Sequence, residues 1–146
     1  MSLKRTSHAV YDTNYHLVWC PKYRKKVFDR TDIRERAERL IQEICDDYGF
    51  EIVELEVAVD HVHLLVSFPP KYSISDVVRI VKSKSARQLF REFPSLKSRL
   101  WSGQLWEDGY FARSVGDRVT RDVIEKYIKH HQDLEQGPAQ LHFKLR

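Results

Sequence analysis

Two histidines separated by a single residue, His61 and His63, are the most chemically suggestive pair in the sequence. They lie in Asp60-His61-Val62-His63-Leu64-Leu65-Val66, which reads as a β-strand. Residues two apart on a strand share a face. Both imidazoles therefore point to one side, while Val62, Leu64 and Val66 enter a core on the other. Imidazole is a common metal ligand, and two of them on a rigid strand supply half of a site for a divalent ion. The same spacing also fits two histidines on the outer face of a sheet, and His-x-His alone does not separate the two. Asp60 is either an acceptor that orients one imidazole or a turn residue, a role aspartate suits.

A second constellation lies toward the C-terminus. Val119, Val123, Ile124, Tyr127, Ile128 and His131 recur along one helical stripe, and Tyr127 and His131 are one turn apart. That stripe presents a phenol and an imidazole together. The plainer readings are a core tyrosine for Tyr127 and, for His130 and His131, exposed residues near a helix C-terminus, where the dipole favours imidazolium.

The charged residues point to a polyanion through their placement more than their number. Twenty-five Lys and Arg against 21 Asp and Glu give a net charge of +4, a surplus too small to argue from. Lys22, Arg24, Lys25 and Lys26 crowd around Tyr23, however, and Arg79, Lys82, Lys84, Arg87 and Arg91 follow within one helical segment. Phosphate binding needs such clusters, because neutralising phosphates releases condensed counterions; a solvated basic face is the alternative. Tyr23 could stack on an unpaired base or pack within its loop.

These residues need a scaffold, and the hydrophobic pattern supplies one. Tyr15 to Cys20 alternates as a strand that Pro21 ends. Thr31 is placed to cap a helix in which Ile33, Ala37, Leu40, Ile41, Ile44, Cys45 and Tyr48 recur, with Gly49 as its stop. A second strand sends Val53, Leu55, Val57 and Val59 one way and Glu54 and Glu56 the other. It pairs through a turn near Asp60 with the histidine strand, His61 to Phe68. Ser73 and Asp76 resemble a capping box for a helix that buries Ile74, Val77, Val78, Val81 and Leu89, keeps its basic side chains outside and closes at Pro94. Tyr110 to Val115 forms a last strand after a turn at Asp108-Gly109, and Thr120 caps a final helix running to about Leu134. The order is β-α-β-β-α-β plus a C-terminal helix. That is an α+β fold, the ferredoxin-like or RRM-like split βαβ antiparallel sheet, in one domain spanning residues 1–146, with a core at about 11–133 and a short tail at 134–146.

Other function classes recede. No apolar run approaches the roughly 20 residues of a membrane span, and Met1 to Thr13 lacks a signal-peptide core, so the expected location is the cytoplasm. Cys20 and Cys45 are the only cysteines; they read as two reduced, partly buried thiols and not as a zinc or redox pair.

Taken together, four ordered blocks resemble the single-tyrosine HUH transposases of the small "IS two-hundred" type of insertion sequence. Tyr15-His16-Leu17-Val18-Trp19-Cys20-Pro21-Lys22-Tyr23-Arg24 resembles their opening strand, and Asp60 to Val66 their His-hydrophobic-His signature. Leu105-Trp106-Glu107-Asp108-Gly109-Tyr110-Phe111 and the tyrosine helix Asp122-Val123-Ile124-Glu125-Lys126-Tyr127-Ile128 complete the set. The resemblance covers about Tyr11 to Gln132. It implies an enzyme that recognises imperfect DNA hairpins and cuts and rejoins single-stranded DNA, with Tyr127 as nucleophile and a 5′-phosphotyrosine intermediate. It also implies a divalent ion, Mg²⁺ or Mn²⁺, on His61 and His63, and a homodimer whose tyrosine helices complete the partner's active site. Lys22 to Lys26, with Arg79, Lys82, Lys84 and Arg87, would then hold the hairpin. The chain departs from the family at one position. The family commonly has Gln four residues after the tyrosine as third ligand; here that residue is His131, and Gln132 comes next. Because i+4 lies beside i on a helix and i+5 rotates about 100° away, His131 is the expected ligand and Gln132 the alternative. Imidazole in that place favours Mn²⁺ over Mg²⁺.

Three competing readings make different demands. A ferredoxin-like nucleic-acid-binding module without catalysis would carry aromatic residues in its signature strand, where this chain has histidines. A metal-dependent hydrolase using water would not need Tyr127. A domesticated relative acting on chromosomal repeat hairpins differs in its DNA and not in its residues.

Overall fold

The computed structural model of the chain describes residues 4–100 and 103–115. The expected helix from Thr120, with Tyr127, His131 and Gln132, lies outside the described residues. A short antiparallel pair, β1 (Lys4–Arg5) and β2 (Val10–Tyr11), comes first, followed by β3 (Tyr15–Trp19), α1 (Thr31–Asp47), β4 (Glu51–Val57), β5 (Val62–Ser67), α2 (Ile74–Glu92), α3 (Ser95–Arg99) and β6 (Phe111–Ser114). The main sheet is antiparallel in the order β4-β5-β3-β6. This is the ferredoxin-like α+β arrangement, with β3 and β5 at its centre.

The alternation along each strand decides where the core lies. Leu17 and Trp19 of β3 and Val62, Leu64 and Val66 of β5 join one buried cluster with Ile33, Ala37 and Ile41 of α1 and Val77, Val81 and Leu89 of α2. Burying each of the larger side chains contributes roughly 1.5–3 kcal/mol. Trp106 enters the same core, and its indole N–H donates to Ser85 Oγ at 3.1 Å, so neither buried polar group is left unpaired.

Local signals start and stop the helices. The capping box of α2 is present: Asp76 N donates to Ser73 Oγ at 3.0 Å, and Ser73 N donates to Asp76 Oδ2 at 3.1 Å. These bonds hold the Asp76 carboxyl below its usual range, because they favour the charged form. Gly49, at φ +74°, follows α1 in the left-handed region that stops a helix. Thr31 is not the cap of α1. It already lies within the helix, Arg30 occupies the cap position without a side-chain bond, and Asp32 Oδ1 accepts from Ile33 N at 2.9 Å.

Three further departures have physical causes. The strict alternation expected for β4 breaks at a β-bulge between Ile52 and Glu54, so that Ile52 pairs with Val66 but Glu54 with Leu65. One extra residue turns the side chains beyond it over. Val53 therefore packs with Val18 and Leu65 on the face away from the helices, while Leu55 and Val57 keep to the core face. Pro94 ends α2 but also heads α3, whose single turn buries only Leu96. Cys20 and Cys45 are fully buried, and burial pushes their thiols up to about 11 and about 12.

Candidate functional site

The second face of the sheet carries the histidines. His63 faces Val18 on β3 and Glu56 on β4 across the register, and His16 stacks on it with ring centroids 5.7 Å apart and planes 13° apart. His61 precedes β5, in the turn closed by Ala58 N donating to His61 O at 2.8 Å. The rings of His61 and His63 are 4.6 Å apart and nearly perpendicular, at 86°. Both are buried, at 2% and 1% exposure, which excludes a pair of solvent-facing histidines.

Asp60 completes this end of the strand. Its Oδ1 lies 2.7 Å from His61 Nδ1, and its Oδ2 accepts from Arg24 Nη2 at 3.2 Å. A carboxylate only accepts, so Nδ1 is the donor, and in the neutral ring the lone pair is left on Nε2. That is the tautomer a metal-binding imidazole needs, fixed by the partner such histidines usually have. A divalent ion held by two neutral imidazoles therefore fits the donors present. Among the described residues no group of three His, Cys, Asp or Glu side chains could hold a metal ion, and the expected third donor, His131 or Gln132, lies outside them.

A cleft of about 770 Å³ opens beside His61, and its polar lining includes Arg24, Lys26, Arg34, Glu56 and Asp60. Its rim is the basic turn after β3, whose backbone is unusual. Tyr23 and Arg24 both adopt positive φ, at 61° and 50°. For residues other than glycine this costs on the order of 1–3 kcal/mol each, and it persists only where the surroundings impose it. Here they do: Lys22 N donates to Leu105 O at 2.8 Å, Glu107 N to Cys20 O at 2.9 Å and Arg24 N to Pro21 O at 2.9 Å.

The structure separates the basic side chains that look alike in sequence. Tyr23 is 48% exposed, with Lys22 Nζ 5.6 Å from its ring centroid. Lys26 is exposed on the cleft. Lys25 Nζ instead donates to Arg99 O at 3.0 Å and Arg24 to Asp60. On α2, Arg79, Lys84 and Arg87 are exposed, Arg79 pairing with Asp76 and Lys84 lying over the Tyr48 ring. Lys82 corrects the expectation that the basic side chains of this helix all stay outside. It is half-buried, and Nζ donates to the carbonyls of Glu107 and Gly109 at 2.7 and 3.0 Å. Burial pulls its ammonium below the ordinary lysine range. Because α2 packs on the core face of the sheet, its basic residues stand on the opposite side from His63. The residue that sequence reasoning missed is His16. Its place opposite Leu65 follows once β3 and β5 are known to pair, but no motif announces it.

No helix among the described residues is long and apolar enough to cross a membrane. The family profile described as "Transposase IS200 like" matches residues 9–131. The ISDra2 transposase TnpA of Deinococcus radiodurans is 38% identical over 135 residues, 92% of this chain and 95% of that one. The transposase for insertion sequence element IS200 of Salmonella typhimurium is 31% identical over 138 residues, 94% of this chain and 89% of that one. Among solved structures, a protein of Deinococcus radiodurans assigned as a transposase aligns with TM-score 0.70 and 36% identity, covering 88% of this chain and 98% of its own. A REP-associated tyrosine transposase bound to a REP hairpin shares the fold, with TM-score 0.53 and 16% identity over 91% of this chain and 69% of its own. Relatives alike along nearly their whole lengths, with the histidine strand and its aspartate inside the matched span, place the chain in the IS200-like transposase family.

Proposed function

We propose that this transposase cleaves and rejoins single-stranded DNA at insertion-sequence ends, with Tyr127 as the nucleophile. The observation that carries the reading is the buried, perpendicular His61–His63 pair with Asp60 on Nδ1, in a chain of this family. His61 and His63 would hold a divalent ion, Mg²⁺ or Mn²⁺, completed by His131 or, alternatively, Gln132. A bound ion supplies polarisation of a non-bridging phosphate oxygen and offsets charge developing in the transition state.

The remaining chemistry belongs to the chain. The Tyr127 oxygen bonds to phosphorus as the bond to the 3′ oxygen breaks, leaving a 5′-phosphotyrosine and a free 3′-OH. A phenol, with a reference pKa of about 10, loses its proton more readily than water, and the ester keeps the energy of the broken bond for rejoining. A second 3′-OH then attacks the ester and releases the tyrosine. Exposed Tyr23 would stack on an unpaired base, and Lys22, Lys26, Arg79, Lys84 and Arg87 would meet backbone phosphates. Hairpin recognition is supported by the REP hairpin bound to the structural relative. A homodimer with the tyrosine helix of one subunit at the histidines of the other is the assembly proposed.

The test is incubation of end-labelled single-stranded DNA from the gene's flanks with the protein and Mn²⁺ or Mg²⁺. A labelled, protease-sensitive adduct is expected from the wild type and none from Tyr127→Phe, with hairpin binding retained. Metal-dependent cleavage that survives Tyr127→Phe would assign the reaction to water.

A further inference from the structure

Arg24 stands in the cluster of basic residues that reads as a phosphate-binding loop, yet its guanidinium is turned toward Asp60. The two residues are 36 apart in sequence, so the contact depends on the turn that carries Arg24. That turn holds two successive left-handed residues and is fastened on its far side to Leu105 and Glu107. Strain of this kind clusters at functional sites and persists only where the surroundings impose it, and here it accompanies the turn of Arg24 toward Asp60.

The carboxylate that receives Arg24 is the one bonded to His61. Terminal torsions of aspartate and histidine are broad and have no sharp well, so a single Asp60–His61 bond leaves both planes able to swing together. A second bond, from Arg24 Nη2 to Oδ2, pins the carboxylate from its other oxygen. The chain Arg24–Asp60–His61 then fixes the plane of the imidazole. A surface ion pair adds little to folding, and the Arg24 and Asp60 side chains are 42% and 18% exposed. The contact is better placed to orient than to stabilise.

We propose that Arg24 is a positioning residue for the metal site, acting on His61 through Asp60, and not one of the phosphate-binding cations of its loop. The proposal rests on the reading of His61 and His63 as metal ligands.

Three measurements on the full chain separate the possibilities: Mn²⁺ affinity without DNA, affinity for a hairpin-forming oligonucleotide in EDTA, and unfolding temperature. Arg24→Gln should weaken Mn²⁺ binding about tenfold, the scale of losing an outer partner of a ligand, and leave hairpin affinity in EDTA within about twofold. Arg24→Lys, which keeps a charged donor where Gln offers only a neutral amide, should recover part of the loss, and it replaces Arg24→Gln in every comparison if that variant does not fold. The double variant Arg24→Gln/Asp60→Asn should bind Mn²⁺ no more weakly than Asp60→Asn alone, because residues acting in series are not additive. Hairpin affinity that falls while Mn²⁺ affinity holds would make Arg24 a phosphate ligand and overturn the proposal, as would additive losses in the double variant. Mn²⁺ binding unchanged in His61→Ala would instead overturn the metal-site reading itself, and this proposal with it.

Discussion

Val62, Leu64 and Val66 on one face of β5 and His63 and Leu65 on the other are equally buried, yet they meet different surroundings. The first set packs against the aliphatic side chains of α1 and α2. The second meets His16, Glu54, Glu56 and the small cluster of Val18, Val53, Phe111 and Val115. Burial alone therefore does not say what a residue does. An imidazole costs less to bury where a polar group receives it, as Asp60 receives His61 at this end of the sheet. One strand thus serves as core and carries a residue of the proposed ligand pair at once. Leu64, packed in the sheet–helix core, and His63 are neighbours on the same strand.

Substitutions on the two faces should separate accordingly. His63→Ala has the largest expected effect. Losing a proposed ligand should cost more than losing an outer partner, so metal-dependent cleavage should fall by more than about 100-fold, with Mn²⁺ affinity falling alongside it. Circular dichroism should still report a folded chain. A variant that unfolds would show that the histidine face is as structural as the other, and the contrast would fail. Leu64→Ala, next in size, should do the reverse. It leaves a cavity in the sheet–helix core and should cost about 2–5 kcal/mol of stability in denaturant titrations. Mn²⁺ affinity at a temperature where the variant is folded should stay near that of the wild type. If it dropped as far as in His63→Ala, the two faces would not be independent.

The histidine face was legible in advance because a strand's period of two needs no tertiary information. Val62-His63-Leu64 assigns its own sides, and the structure keeps them, while Asp60 and His61 lie in the turn before β5, with the His61 ring against His63. The β4 bulge was not legible, since Glu-Ile-Val-Glu-Leu-Glu-Val alternates well enough from Val53 onward to hide an extra residue, and only pairing with Leu65 reveals it. The basic residues show the same limit. Lys82 has the helical position of a solvent-facing residue, but the segment from Leu105 to Gly109 returns over it and takes its ammonium. Arg24 looked like its neighbours until the turn proved to be left-handed at two residues. Spacing predicts which face a side chain leaves from. It does not predict what a distant loop brings to meet it. The ion pair Arg24–Asp60 and the stack of His16 on His63 are contacts of that second kind.

The two cysteines sharpen the comparison most finely, because one sits inside the helix-packed core and the other at the end of β3 near charged groups. Cys45 is raised to about 12 by burial alone. Cys20 is raised to about 11, with burial dominant and Arg24 pulling the other way. In both, the folded state holds its thiol proton more firmly than the unfolded chain, whose thiols titrate near 9.0. The resulting stability is complete below pH 9 and is lost as pH rises through the folded values. The slope is at most about 1.4 kcal/mol per pH unit for each thiol. Cys45→Ala should flatten the alkaline decline in unfolding free energy between about pH 9 and pH 12. Cys20→Ala should flatten it too, over a narrower range that ends near pH 11. Equal slopes for wild type and Cys45→Ala would mean that charge enters the helix side of the sheet as readily as it enters the solvent, and the distinction between the faces would not survive that result.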